Sequence, residues 1–269
     1  GSLFFSDFYN DTSRRTNQVS GSIYRITRKK GSKPTLPKLD FSAVPGLLSA
    51  LKNPAVNVRS HAAAQLVAKG EGATGPVLAF LRDHERDANL RSRAVWVLAQ
   101  LGKEGRAEVS KHLDSEDDPE KVIVAYRALR HGDPKGLLDR ANALAGSKFP
   151  SVRREVAVSL KGVSFFECRK SLIALIDGYD GHNRYYLEAL GVAFHGKERE
   201  VYEQLIRPFF PKPGEWQWKA KNLAWRLHTA ESIRDLDLCI RAQQPPVDEF
   251  RFLAMAFASF RNDQDRLDL

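Results

Sequence analysis

Only two cysteines, Cys168 and Cys239, occur in the 269 residues. They stand far apart and form no CxxC or CxxCH element. A zinc knuckle, a thioredoxin-like redox pair and a haem-attachment site are therefore unsupported in this chain. Both lie in apolar helical contexts, which reads as two buried free thiols. Long hydrophobic runs are missing as well. No stretch of about eighteen apolar residues occurs, the length a membrane-spanning helix needs. No charged segment followed by an apolar core opens the sequence in the manner of an export signal. The seven histidines, His61, His84, His112, His131, His182, His195 and His228, include no HExxH and no close pair. No metal site is indicated by them. GxSxG, the P-loop and other glycine-rich phosphate cradles are equally absent. No residue set reads as catalytic, cofactor-binding or metal-binding.

The formal net charge is +9, and its placement matters more than its size. Residues 1–38 hold eight Lys and Arg against two acids, a balance of +6, so the other 231 residues carry only +3. A nucleic-acid track repeats Lys or Arg along one continuous face. This distribution argues against nucleic acid as a partner. The acid run Asp114-Ser115-Glu116-Asp117-Asp118 precedes Pro119 and reads as a helix-capping loop rather than a calcium loop.

What the chain does have is a repeat. Asn57-Val58-Arg59…Ala62…Leu66 returns as Leu90-Arg91…Ala94…Leu98 and as Val152-Arg153…Val156…Leu160, with a degenerate copy at Lys121-Val122…Ala125…Leu129. The period is 31 to 32 residues, with helix-type apolar spacing inside each unit. That combination predicts an all-α, right-handed α-solenoid of helix pairs. Five pairs are expected, ending at Gly70, Gly102, Gly132, Gly162 and Gly196. Within a unit, Ala62, Ala94 and Ala125 let helices approach, and Leu66, Leu98, Leu129 and Leu160 fill the core. Arg59, Arg91 and Arg153 open the second helices. Their expected role is structural, pairing with acids or carbonyls of the adjacent turn and stitching neighbouring repeats.

The ends differ from the middle. Residues 1–28 carry an aromatic strand-like run and the alternating Gly21-Ser22-Ile23-Tyr24-Arg25-Ile26-Thr27, a half-buried strand, so a short N-terminal β-strand pair is expected. Residues 29–39 are basic, with Gly31, Pro34 and Pro37, and read as a linker. The helical array occupies 40–269, loosening after Gly196 into a helix over 198–210 and three more beyond Pro213. The tail after Arg261 lacks the polar cap that ends a repeat array, so the parent chain is expected to continue.

Three clusters bear on contact. Arg184, Tyr185 and Tyr186 form a candidate protein-contact patch, since Tyr and Arg are enriched at interfaces. Consecutive helix residues point about 100° apart, so one tyrosine packs and the other faces out. Trp216 and Trp218 are further contact candidates. Trp218 and Trp225, seven residues apart, share a helix face.

The repeats resemble the HEAT family in its short form of about thirty residues. Leu3-Phe4-Phe5-Ser6-Asp7-Phe8-Tyr9-Asn10, Gly21 to Ile26, Tyr179 to Gly191 and Asn222-Leu223-Ala224-Trp225-Arg226-Leu227 resemble stretches of large multidomain proteins of planctomycetes and related bacteria. Those proteins join a dehydrogenase-type β-propeller, HEAT repeats and a c-type cytochrome module. The resemblance implies that residues 1–28 are the remnant of a closing propeller blade. It implies a non-catalytic scaffold and protein-interaction module, partnered by neighbouring domains of its parent and periplasmic or extracytoplasmic. Haem c or a quinone cofactor would then belong to the parent, since this chain holds neither the propeller's catalytic groups nor a CxxCH. The alternative is a HEAT-like nucleic-acid module such as a DNA glycosylase, motivated by the tryptophans with Arg226 and Arg234.

Overall fold

The computed structural model describes residues 3–6, 9–10, 19–26, 38–115 and 117–258. Residues 29–37 of the expected linker, Glu116 of the acid run and the tail from 259 lie outside the described residues. The chain divides into two compact units, Gly1–Asp40 and Phe41–Leu269.

In the first unit, β1 (Leu3–Ser6) and β4 (Ile23–Ile26) pair antiparallel, with Leu3 opposite Ile26 and Phe5 opposite Tyr24. Between them, β2 (Tyr9–Asn10) and β3 (Val19–Ser20) form a second short antiparallel pair. The Phe5 and Tyr24 rings stack at 4.9 Å. The expected half-burial of the Ile23–Ile26 strand is corrected: it is exposed throughout, Ile23 at 80%. A two-stranded ribbon is only marginally stable by itself, and cross-strand side-chain pairs such as Phe5 with Tyr24 are what stabilise it.

The second unit is helical. Its helices are α1 (Val44–Leu51), α2 (Val56–Ala68), α3 (Thr74–Asp83), α4 (Ala88–Leu98), α5 (Gly102–Ser110), α6 (Pro119–Gly132), α7 (Leu137–Leu144) and α8 (Pro150–Ser159). There follow α9 (Phe165–Asp177), α10 (Arg184–Phe194), α11 (Glu198–Val201), α12 (Arg207–Phe209), α13 (Trp218–Leu227), α14 (Ala230–Gln243) and α15 (Val247–Ala258). The helix expected over 198–210 is interrupted. A π-turn over Tyr202–Ile206 joins α11 to α12, which inserts one residue per turn where Tyr202 is buried.

Neighbours in sequence pack as pairs, α1 on α2, α3 on α4, α5 on α6, α7 on α8 and α9 on α10. Second helices also stack on one another: α2 on α4, α4 on α6, α6 on α8, α8 on α10 and α10 on α13. Ala62, Ala94 and Ala125 are buried at these crossings, and Leu66, Leu98, Leu129 and Leu160 are buried beside them. Each such leucine contributes about 2–5 kcal/mol against alanine. Gly70, Gly102, Gly162 and Gly196 adopt the left-handed backbone that stops a helix. Gly132 does not. Its role is close approach, since a Cβ there would lie 2.2 Å from the Ala99 carbonyl oxygen. The acid run serves α6, whose N-cap Asp118 accepts from the Lys121 amide at 3.1 Å.

Candidate functional site

The repeated arginines stand in the first turn of α2, α4 and α8. Arg59 donates back to the Pro54 carbonyl at 2.5 Å, Arg91 to Glu85 at 2.9 Å and Arg153 to Ser147 at 2.6 Å. Each therefore ties its helix to the turn just before it. Two also reach the next pair. Arg91 meets the Asp118 carboxylate at 3.3 Å. Arg153 donates to the Gly178 carbonyl at 2.8 Å and to the Tyr186 hydroxyl at 3.0 Å.

That last bond leads to the start of α10, which is built to hold its side chains in set directions. Asp180 accepts from the amides of His182 and Asn183, both at 2.8 Å, and these bonds hold its carboxyl below the ordinary range. Asn183 caps the helix by accepting from the Tyr186 amide at 3.0 Å. Gly181 turns with φ +86°, and a Cβ there would come within 3.0 Å of the Lys219 backbone nitrogen.

With the helix start set, the tandem tyrosines part. Tyr186 is inward and 1% exposed; its hydroxyl donates to the Leu175 carbonyl at 2.9 Å, and burial pushes its pKa up. Tyr185 is outward and 76% exposed. Arg184 is exposed, pairs with Glu188 at 2.6 Å and places its guanidinium 4.8 Å from the centre of the Trp225 ring.

Two concavities flank α10. A cavity of about 290 Å³ is lined by Tyr179, Arg184, Trp218, Asn222 and Phe252, among others. A wider groove of about 460 Å³ crosses α6, α8 and α10, with Arg127, Arg154, Glu155, Val158, Tyr185 and Glu188 among its walls. Neighbouring residues of one helix, Arg184 and Tyr185, thus look into different concavities.

Of the five expected contact residues, Arg184 and Tyr185 stand on the surface and Trp218 is half-buried at the smaller cavity. Tyr186 and Trp216 are corrected to core residues. Trp216 is 3% exposed and its indole N–H donates to the Phe210 carbonyl at 2.9 Å. Trp225 is buried too, stacked on Phe252 at 4.9 Å and donating to its carbonyl at 3.1 Å. These two indoles are satisfied internally and offer no face for a flipped base. Cys168 and Cys239 are buried free thiols, and burial raises both. Among the described residues no three His, Cys, Asp or Glu side chains gather into a cation-binding group, and no helix is long and apolar enough to cross a membrane.

The groove's ionic lining was not foreseen. Glu155 is gripped by Arg127 at 2.5 Å and Arg130 at 3.6 Å, one on each oxygen. Glu188 is gripped by Arg184 at 2.6 Å and Arg226 at 3.1 Å, again one on each oxygen. Glu155 and Glu188 lie 33 residues apart on successive second helices, close to the 31–32 residue period. That spacing was a usable signal; the arginines come from outside the repeated motif. Comparison of the chain with protein families and with curated proteins finds no match.

Proposed function

We propose that the chain is a non-catalytic, HEAT-like α-solenoid scaffold whose second-helix face binds protein. The observation that carries the reading is the ladder of second helices, α2 through α13, each packed on the next, with α2, α4 and α8 opened by the same arginine joint. An array stabilised by nearest-neighbour stacking leaves one edge of every second helix free, and those edges add up to an extended surface. On that surface Tyr185 is exposed beside Arg127 and Arg154, and Tyr and Arg are residue types enriched at protein interfaces. The resemblance of the strands and of the 179–191 block supports a wider reading, that the scaffold is part of a multidomain periplasmic protein with its redox groups in other modules. The reading of the face is tested by screening immobilised peptides against wild type and Tyr185→Ala. Binding that falls with Tyr185→Ala supports it; binding indifferent to that change overturns this face as the site. A propeller upstream and a CxxCH downstream in the reading frame test the wider part.

A further inference from the structure

We propose that the cavity among α10, α13 and α15 binds a small planar aromatic carboxylate. It is separate from the groove at Tyr185 and goes beyond the scaffold reading.

The walls of this cavity are aromatic. Tyr179, Trp218 and Phe252 line it together with Leu187, around a volume of about 290 Å³. That is the lower end of ligand-pocket sizes and suits one or two fused rings. Trp218 and Phe252 adjoin at 6.2 Å with their rings tilted by 56°, and Phe252 is itself stacked on Trp225 at 4.9 Å. Lys221 holds its ammonium 5.6 Å from the centre of the Trp218 ring and is anchored by Glu249. Walls held in this way lower the ordering cost of binding. Asn222 forms another part of the lining and is 8% exposed. Its amide N–H donates to the Gly181 carbonyl at 2.7 Å, while its Oδ1 has no hydrogen-bond partner among the described residues. The bond to a carbonyl fixes which end of the amide is nitrogen. Oδ1 is therefore an unspent acceptor, which a donor on the ligand ring would satisfy.

Charge selects the class of ring. Arg184 and His182 are the basic residues on the wall, and no aspartate or glutamate is among the described residues that line it. Glu188, the carboxylate paired with Arg184, is shared with Arg226, so this cluster of three keeps one positive charge in excess. Arg184 spends one terminal nitrogen on Glu188, and its side chain is 54% exposed. Its other donors remain for a ligand, and a guanidinium engages a carboxylate through paired, charge-assisted hydrogen bonds. One excess charge matches a carboxylate better than a phosphate, which carries nearly two. A cationic ring would meet Arg184 with no carboxylate on the wall to receive it.

Calorimetric titration of the full chain compares indole-3-carboxylate with indole-3-carboxamide, which keeps the ring and its N–H but lacks the charge, and with tryptamine. The carboxylate is expected to bind, the carboxamide about tenfold more weakly and tryptamine more weakly still. Arg184→Gln should raise the Kd of the carboxylate about tenfold and leave that of the carboxamide unchanged. Glu188→Gln serves as the second variant: it loses the same ion pair, keeps the guanidinium and should retain affinity for the carboxylate. Equal affinities for carboxylate and carboxamide overturn the proposal, as does tighter binding of tryptamine. Equal losses in Glu188→Gln and Arg184→Gln also overturn it, since the ion pair would then be what matters. If none of the three compounds binds at millimolar concentration, the site itself falls. None of these outcomes bears on the peptide screen with Tyr185→Ala, so the two readings fail separately.

Discussion

The helix pairs from α1 to α10 and the helices from α11 onward are held together by different means. In the earlier region one device recurs. An arginine at the head of each of α2, α4 and α8 bonds to a backbone carbonyl of its own turn, and two of the three reach the next pair. In the later region the joints are individual. Tyr202 donates to the buried Asp235 at 2.5 Å, and Lys221, itself buried, meets Glu249 at 2.5 Å. His228 and Gln244 end α13 and α14 in left-handed backbone without glycine. The bond each arginine makes to a backbone carbonyl of its own turn asks nothing of other side chains, so that part of the joint can be copied along the chain. The reach to the next pair differs, to the Asp118 carboxylate from Arg91 and to the Gly178 carbonyl and Tyr186 hydroxyl from Arg153. A joint between two side chains must be specified twice, and it leaves no period in the sequence.

That contrast can be broken most forcefully at Lys221. Glu249→Ala strands a buried ammonium, and removing one partner of such a pair costs about 3 kcal/mol or more. Urea unfolding is the measurement; a loss below about 1 kcal/mol would show that the later joints are as replaceable as surface pairs. Next come the arginines, which should fall in order of their reach. Arg153→Ala loses bonds to Ser147, Gly178 and Tyr186 and should cost about 2 kcal/mol. Arg59→Ala loses a bond to its own turn and should cost about 1 kcal/mol or less. Equal costs would mean that the links between pairs contribute nothing.

The comparison also sharpens with pH. Burial, above all, pushes the hydroxyls of Tyr126, Tyr179 and Tyr186 above the ordinary tyrosine value. For Tyr202 burial acts together with the Asp235 carboxylate, and its shift is large. A phenol whose folded pKa is raised stabilises the fold fully below the unfolded value of about 10, and that stability is lost as pH rises above it. Alkaline unfolding should therefore set in above pH ~10, and Tyr202→Phe combined with Asp235→Asn, which removes the titrating phenol without stranding the buried carboxylate, should move its midpoint upward. An unchanged midpoint would exclude Tyr202 as the main alkaline trigger. The smallest effect is expected at Gly191, where an added Cβ would lie 2.2 Å from the Arg226 guanidinium. Gly191→Ala should displace that flexible side chain from Glu188 at a cost of about 1 kcal/mol or less. Its clearer readout is a change in peptide affinity at the groove.

The helix pairs were legible from Arg91, Ala94 and Leu98 and their copies, because helix periodicity and helix stops are local properties of the chain. The cores of those pairs followed from the same residues. The candidate face was legible only in part. Arg184 and Tyr185 stood out by residue type, whereas Tyr186 and Trp216 looked equally suited to contact and proved to be core. The ring of Tyr186 has the hydroxyl partners Leu175 and Arg153, from another helix and another pair, which no local pattern contains.

By itself, then, the sequence determined the period, the mostly helical fold and the arginine at the head of the repeated helices. Those depend on residues three, four and about thirty-one positions apart in a chain that repeats. Only the tertiary structure decided which tyrosine faces out and that Arg127, Arg130, Arg184 and Arg226 close on two glutamates. The reason is geometric. A helix residue's direction is set in steps of about 100°, but what lies in that direction is set by the helix stacked beside it.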